Sequence, residues 1–208
     1  MRILKFIFIL FSYQLFAQNA PFSTSEAKAF KESVSSKAET IENLQADFRQ
    51  LKFMKIMQKT VESDGHIWYA SPGKLKWSYT SPYDYELLFK DSSLYIIENG
   101  KTRKMNTGNS ELFEKMGELV AGSFNGRILE MDELFKTDFA RHGKFVKATV
   151  TPKDENLAEM FSEILIFFNT EKYIEKVKLM EPSGDYTEIK MSNFKTNQKI
   201  PASVFQHK

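Results

Sequence analysis

From Leu44 onward the sequence is cut at short intervals by Ser-Pro-Gly at 71–73, Ser-Pro-Tyr at 81–83, Asp-Ser-Ser at 91–93 and Asn-Gly at 99–100. Between these turn signals, apolar and polar residues alternate. So short a spacing leaves no room for crossover helices, so the strands must be antiparallel neighbours joined by tight turns. The pattern predicts strands over 61–70, 74–80, 85–90, 93–99 and 101–105, and again over 137–142, 145–152, 162–169, 173–181, 185–194 and 201–206. Before them, Leu44, Ala46 and Phe48 share one face of a long first strand, and a phase change over Leu51–Met57 predicts a bulge or strong bend. Roughly a dozen strand segments in one domain favour a curved, nearly closed antiparallel sheet over two separate modules.

The densest part of this pattern is Gly65–Pro82, two aromatic-rich segments around the Ser-Pro-Gly turn, which reads as a β-hairpin. Successive side chains in a strand point to opposite faces, so Ile67 and Tyr69 share one face, as do Leu75, Trp77 and Tyr79. Two readings are open from the pattern: an ordinary sheet core, or a wall that holds apolar cargo.

One amphipathic helix precedes the strands and a second interrupts them. Ser23-Thr24-Ser25 followed by Glu26 supplies capping hydroxyls and an acidic first turn, and Ala27, Phe30, Val34, Ala38 and Ile41 recur at helical steps, which predicts a helix over 24–42. Over Ser110–Phe124, Leu112, Phe113, Met116, Leu119, Val120 and Phe124 fall at helical intervals, ending near Gly122. Residues 127–136 are ambiguous, with a short helical turn around Asp132–Phe135 as one reading. Two apolar-faced helices on the concave side of a curved sheet would fill its interior or act as its lid.

At the N-terminus, Arg2 and Lys5 precede an apolar run from Phe6 to Phe16 and then Ala17-Gln18, the layout of a secretory signal peptide. The run is too short for a membrane span, which needs about twenty apolar residues. Cleavage is expected after Ala17 or, alternatively, after Ala20, giving a signal peptide over 1–17 and a single soluble domain over 18–208 in the periplasm. The whole chain has 29 basic and 27 acidic residues. Losing Arg2 and Lys5 with the leader makes the remainder neutral, so there is no electrostatic case for nucleic acid. The absence of cysteine excludes a disulfide framework, thiol chemistry and the lipidated cysteine of a bacterial lipoprotein.

His66, His142 and His207 are too scattered for a ligand set, and no phosphate loop or nucleophile elbow is present. No metal, no cofactor and no enzymatic activity are expected. His66 alternates with Ile67 and is expected to face solvent or the opposite side of the sheet. Nine methionines and nineteen phenylalanines read mostly as core filling, with Met116 singled out because it lies in the proposed lid.

Gly65, Ile67, Ser71-Pro72-Gly73, Leu75, Lys76-Trp77, Tyr79 and Pro82 together resemble the hairpin of the LolA-type lipoprotein carriers, whose pattern runs roughly Gly-x-aliphatic-x-x-x-Arg-Pro-Gly-x-aromatic-Arg-Trp-x-Tyr-x-x-Pro. Leu44-Gln-Ala-Asp-Phe48-Arg-Gln50 is similar to that family's first long strand. Tyr186-Thr-Glu-Ile189, Asn193-Phe194, Asn197 and Ile200-Pro201 through Phe205 are similar to its closing strands. The resemblance spans about residues 24–206. It implies a mainly β fold, an incomplete, half-open antiparallel β-barrel with inserted α-helices acting as plug or lid over an apolar cavity.

The resemblance further implies a monomeric periplasmic carrier that binds lipoprotein acyl chains and shuttles them from the inner to the outer membrane. Its partners would be an inner-membrane lipoprotein-releasing ABC transporter and an outer-membrane acceptor, or another acceptor in that one's place. The implied lipid-binding residues are Phe48, Ile67, Tyr69, Leu75, Trp77 and Tyr79 from the strands and Met116, Leu119 and Val120 from the lid. The family's lid-latch arginine is Ser71 here, and Lys76 replaces the arginine before tryptophan, keeping the charge but losing the planar fork. Carriage of another lipid or apolar amphiphile, and a module of the same fold that senses envelope stress, are the alternative readings.

Overall fold

The structure, a computed structural model, describes residues 20–91, 93–106 and 127–206. The predicted helix over Ser110–Phe124, with Met116, Leu119 and Val120, lies outside them, as does the leader over 1–17. The chain opens with helix α1 (Thr24–Glu39), followed by strands β1 (Asn43–Met54), β2 (Lys59–Ala70), β3 (Lys74–Ser81), β4 (Tyr85–Lys90), β5 (Ser93–Glu98) and β6 (Lys101–Asn106). A 3-10 turn (Arg127–Glu130) then leads into β7 (Phe135–His142) and β8 (Phe145–Pro152), a short helix α2 (Glu155–Met160), β9 (Glu163–Phe168), β10 (Ile174–Met180), β11 (Tyr186–Thr196) and a final 3-10 turn (Ala202–Phe205).

The strands form one eleven-stranded antiparallel sheet in the order β6-β5-β4-β3-β2-β1-β11-β10-β9-β8-β7. Two meanders are thus joined where β1 meets β11, and among the described residues β6 and β7 are the outermost strands, with Pro21 bridging to Ala140 along the outer side of β7. The sheet is open, as the resemblance implies. One inner face runs across it: Leu87, Trp77, Ile67 and Ala46 are successive cross-strand neighbours on β4, β3, β2 and β1. On the other half, Ile189, Val177, Ile166, Ala148 and Phe139 continue the same kind of row from β11 to β7.

α1 closes over the second half. Its Ser23 cap and Glu26 form the reciprocal box that the sequence predicts: the Ser23 amide donates to Glu26 Oε2 at 2.8 Å and the Glu26 amide to Ser23 Oγ at 3.3 Å. Phe30 meets Phe22, Phe139 and Phe168 with ring centroids 5.9, 5.4 and 5.4 Å apart, while Val34 is buried. Such edge-on contacts suit the aromatic quadrupole. From Arg141, a guanidinium nitrogen lies 2.9 Å from Glu26 Oε1.

Bonds from Ser23 and then Arg141 hold the Glu26 carboxyl at about 2, against an ordinary 4.5. A pKa depressed by folding stabilises the native state fully above the unfolded value and loses that effect as pH falls through the folded one. Urea titrations are therefore expected to show a stability loss between pH 4.5 and about 2 that Glu26→Gln makes shallower; an unchanged slope in the variant would remove Glu26 from the account.

Four sequence expectations are corrected. The bend over Leu51–Met57 is absent: β1 pairs with β2 in unbroken register from Asn43–Ala70 to Met54–Lys59, and the irregularity lies at Gln45/Asp47 opposite β11. Past Gln50 neither face is fully covered, so the side-chain alternation loses its constraint and the apparent phase change follows. The extra residue is on β11, where Asn193 takes φ 54° and its side-chain Nδ2 donates to Asp47 Oδ2 at 2.6 Å. Residues 201–206 form a 3-10 turn rather than a strand, with Pro201 lacking a ladder donor and Phe205 as the single buried anchor.

The helical turn sought at Asp132–Phe135 lies earlier, at Arg127–Glu130, and Phe135 already opens β7. Helix α2 has no counterpart in the expectation. Asp154 caps it by accepting from the Leu157 amide at 3.1 Å, and Leu157 is fully buried.

α1 also ends three residues sooner than its apolar spacing predicts. Asn197, with φ 55°, turns the corner into β1 by accepting from the Glu42 amide at 2.9 Å and donating to the Thr40 carbonyl at 2.7 Å. One asparagine thus satisfies a donor and an acceptor left over at the helix end.

Candidate functional site

The hairpin of β2 and β3 forms one inner surface with its neighbours. Ile67 stands opposite Trp77, Tyr69 opposite Leu75 and Gly65 opposite Tyr79, while Phe48 on β1 faces Gly65. Directly opposed residues share a face, so all six strand residues named from the resemblance come together. Phe48 is the hub, with its ring centroid 4.7 Å from that of Trp77 and 5.1 Å from that of Tyr79. Phe48, Ile67, Leu75 and Trp77 are buried in the main core, and Tyr69 and Tyr79 pack against it half-buried.

Gly65 makes the hub possible. A Cβ there would lie 2.0 Å from the Ser78 carbonyl oxygen and 2.7 Å from the Phe48 ring, so the ring fills the space that a side chain would take. Tyr79 carries a polar tip into this wall. Its hydroxyl donates to Gln50 Oε1 at 3.0 Å, and burial pushes its pKa upward.

Sequence reasoning missed the extension of the wall onto β4, where Leu87 and Phe89 stand opposite Trp77 and Leu75 and are half-buried against the core. The alternation of Tyr85, Leu87 and Phe89 carried that signal. It also missed two buried residues of the same core. Ile128 and Leu129 of the first 3-10 turn, each 1% exposed, belong to the same core cluster as Ile67 and Trp77.

The outer face is polar around His66 and Lys76. His66 faces outward as expected, with Nδ1 2.6 Å from Asp47 Oδ1. The Asp47 carboxyl is held below its usual range, first by the Asn193 amide and then by His66, against a desolvation that opposes it. Lys76 points to this side and pairs with Glu86 at 2.8 Å, where Ser78 also donates to Glu86 at 3.1 Å. Among the described residues no group of three or more metal-ligating side chains is gathered.

Ser71 lies on the β2–β3 turn and gives its backbone amide to the Glu42 carbonyl at 2.8 Å. It borders a cleft of about 280 Å³ that is also lined by Ser35, Ala38 and Glu39 of α1, by Ile41 and Tyr69, and by Glu130. Across this cleft, Ser35 donates to Glu130 Oε1 at 2.5 Å, and nearby Lys31 pairs with Asp132 at 2.6 Å. Side chains of α1, not position 71, tie helix and 3-10 segment together.

The model of the family described as outer membrane lipoprotein carrier protein LolA matches residues 39–208. The chain belongs to the LolA family. Among its relatives, an outer-membrane lipoprotein carrier protein of Legionella pneumophila (strain Corby) is 23% identical over 207 residues, covering 100% of this chain and 94% of the relative. One of Chromobacterium violaceum is 28% identical over 166 residues, covering 78% and 75%.

Of solved structures, the Pseudomonas aeruginosa MucA/MucB complex matches with a TM-score of 0.53 at 10% identity, over 86% of this chain and 60% of that one. That likeness concerns the fold alone. The LolA match covers β1 to the last 3-10 turn and thus the whole wall, whereas α1 is outside it up to Glu39. LolA-family carriers are binding proteins, and among the described residues no helix is long and apolar enough to cross a membrane.

Proposed function

We propose that this LolA-family protein is a periplasmic carrier that shelters the acyl chains of lipoproteins against the inner wall of the half-barrel and moves them from the inner to the outer membrane. The supporting observation is the continuous apolar face of β1–β4, with Tyr69, Tyr79, Leu87 and Phe89 packed on the core yet still half-exposed. Each buried CH2 contributes about 0.8 kcal/mol, so a long chain is held firmly and released only to a better-sheltered acceptor.

In the conformation described, the wall is closed at its centre: Ile67 is 0% exposed and Leu75 2%. Cargo therefore enters as Ile128 and Leu129 withdraw, and the Ser35–Glu130 and Lys31–Asp132 links take over the holding role of the family's arginine. Phe48, Ile67, Leu75 and Trp77 become cargo-lining on opening; Met116, Leu119 and Val120 complete the lid in this reading.

Inner-membrane vesicles carrying lipoprotein, incubated with the protein and the releasing transporter, test this. Soluble lipoprotein–carrier complex is expected, detected by native mass spectrometry, and Leu87→Glu with Phe89→Glu is expected to cut the yield roughly tenfold while the far-ultraviolet spectrum is kept. An empty protein after repeated release assays would refute the reading. Recovery of a different lipid or apolar amphiphile would favour the alternative cargo. The MucA/MucB complex, in which a protein of similar fold holds a protein partner, favours a second reading as an envelope-sensing module. That reading requires a stable protein partner in pull-downs and no extractable lipid.

A further inference from the structure

Among the described residues, four large apolar side chains stand well exposed, and two of them are adjacent: Ile56 at 94% and Met57 at 62%, in the turn between β1 and β2. A third, Tyr83 at 69%, is in the β3–β4 turn at the same end of the sheet. The β1–β2 hairpin projects there. β2 meets β3 only from Asp64 onward, so Lys59–Ser63 and the turn overshoot β3. At about 3.4 Å per residue, these five residues run roughly 17 Å past the end of β3, while on the other side β1 stays paired with β11 as far as Phe53.

The shaft is braced and the tip is bare. Phe53 stacks on Tyr186 at 5.1 Å, Lys52 pairs with Glu181, and the Lys55 amide donates to Asp185 at 2.9 Å, which fixes the hairpin to the β10–β11 turn. From the brace outward, Lys55-Ile-Met-Gln-Lys59 holds no acidic residue and all five residues are exposed, with the Lys55 side chain running alongside Gly184 of the β10–β11 turn. The acidic groups closest along the shaft and its brace are Glu181 and Asp185, engaged as above, with Glu62 and Glu188 further back opposite Leu51.

We propose that this tip is a membrane-contact site that takes an anionic phospholipid surface. Two neighbouring apolar side chains flanked by lysines fit the boundary between headgroups and acyl chains: Ile56 and Met57 sink past the phosphates, and the Lys55 and Lys59 ammonium groups stay level with them. A narrow convex finger has no concavity for a small ligand. Two side chains bury far less than an acyl anchor, so contact is brief and reversible, as docking by a soluble protein requires. The inference rests on the hairpin alone and holds whatever the inner wall carries.

Flotation of protein purified from the periplasmic fraction with vesicles of phosphatidylethanolamine and phosphatidylglycerol tests it. Binding is expected at low salt and is expected to fall steeply at 0.5 M salt, where the screening length is only about 4–5 Å. Ile56→Ser with Met57→Ser, and separately Lys55→Gln with Lys59→Gln, are expected to weaken it roughly tenfold each at unchanged thermal midpoint. Ile56→Trp is expected to give blue-shifted emission quenched by brominated lipid. Wild-type protein that ignores anionic vesicles, a serine variant that floats like wild type, or binding only to vesicles containing membrane proteins would each overturn the proposal.

Discussion

Gly65→Ala is expected to lower the thermal midpoint by about 10 °C or more, a cost above about 3 kcal/mol at roughly 2–4 °C per kcal/mol for a chain of this size. The added Cβ would sit 2.0 Å from the Ser78 carbonyl oxygen, a backbone atom that moves only if β3 moves. Its second clash, 2.7 Å from the Phe48 ring, displaces the hub of the wall. Against a total stability of about 5–15 kcal/mol, that is a large share. Phe48→Ala relieves only the ring clash, so the double variant is expected to be more stable than additivity predicts. Differential scanning calorimetry of the four proteins measures this cycle; a Gly65→Ala protein within 2 °C of wild type would show that the two strands separate freely at this point.

Phe168→Ala is expected to cost about 3–5 kcal/mol, whereas Phe167→Ala costs clearly less. Both side chains are buried, at 0% and 5% exposure, but by different means. Phe168 lies on the inner face, 5.4 Å from Phe30, in the joint between α1 and the sheet, so its loss leaves a cavity among rigid neighbours. Phe167 lies on the outer face under Lys176, at 3.9 Å, with His142 and Phe145 beside it. These surface chains can settle into the vacated space. Urea titration gives the two costs, and hydrogen exchange in α1 is expected to speed up only in the Phe168 variant. Equal costs would mean that α1 adds nothing to the rigidity of that joint.

The ladder of strands was legible because its signals are local. Turn residues at 71–73, 81–83 and 99–100 and the side-chain alternation between them depend on no distant partner, and the strands they predict form within a residue or two of the expected bounds. The Ser23–Glu26 capping box is local in the same sense. The wall was legible as well, since Ile67, Tyr69, Leu75, Trp77 and Tyr79 share a face by strand geometry alone, though their aromatic pattern did not distinguish core from cargo surface. The resemblance pointed to the family, which the match over residues 39–208 shows.

What failed in the reading of the sequence depended on neighbours far along the chain. Pro201–Gln206 has strand-like residues, but only the topology shows that β11 before it is already paired on both sides, by β1 and β10, and Phe205 is buried through a 3-10 turn instead. The phase change at Leu51–Met57 looked like a bend because alternation was assumed to persist. Tertiary structure decides otherwise, since the hairpin outruns β3 there and its side chains no longer choose between a core and a solvent face.

The sequence by itself determined an antiparallel sheet with a capped helix before it and five large apolar side chains on one face of a hairpin within it, because turn chemistry, capping and the period of a strand act over a few residues. Only the tertiary structure decided that Phe48 lies over Gly65, that Ile128 and Leu129 join the same core as Ile67 and Trp77, that Asn197 turns the corner after α1 and that Ile56 and Met57 project bare from the end of the sheet. Each of these depends on the register between strands or segments remote in sequence, and register is fixed by the burial of the whole face at once.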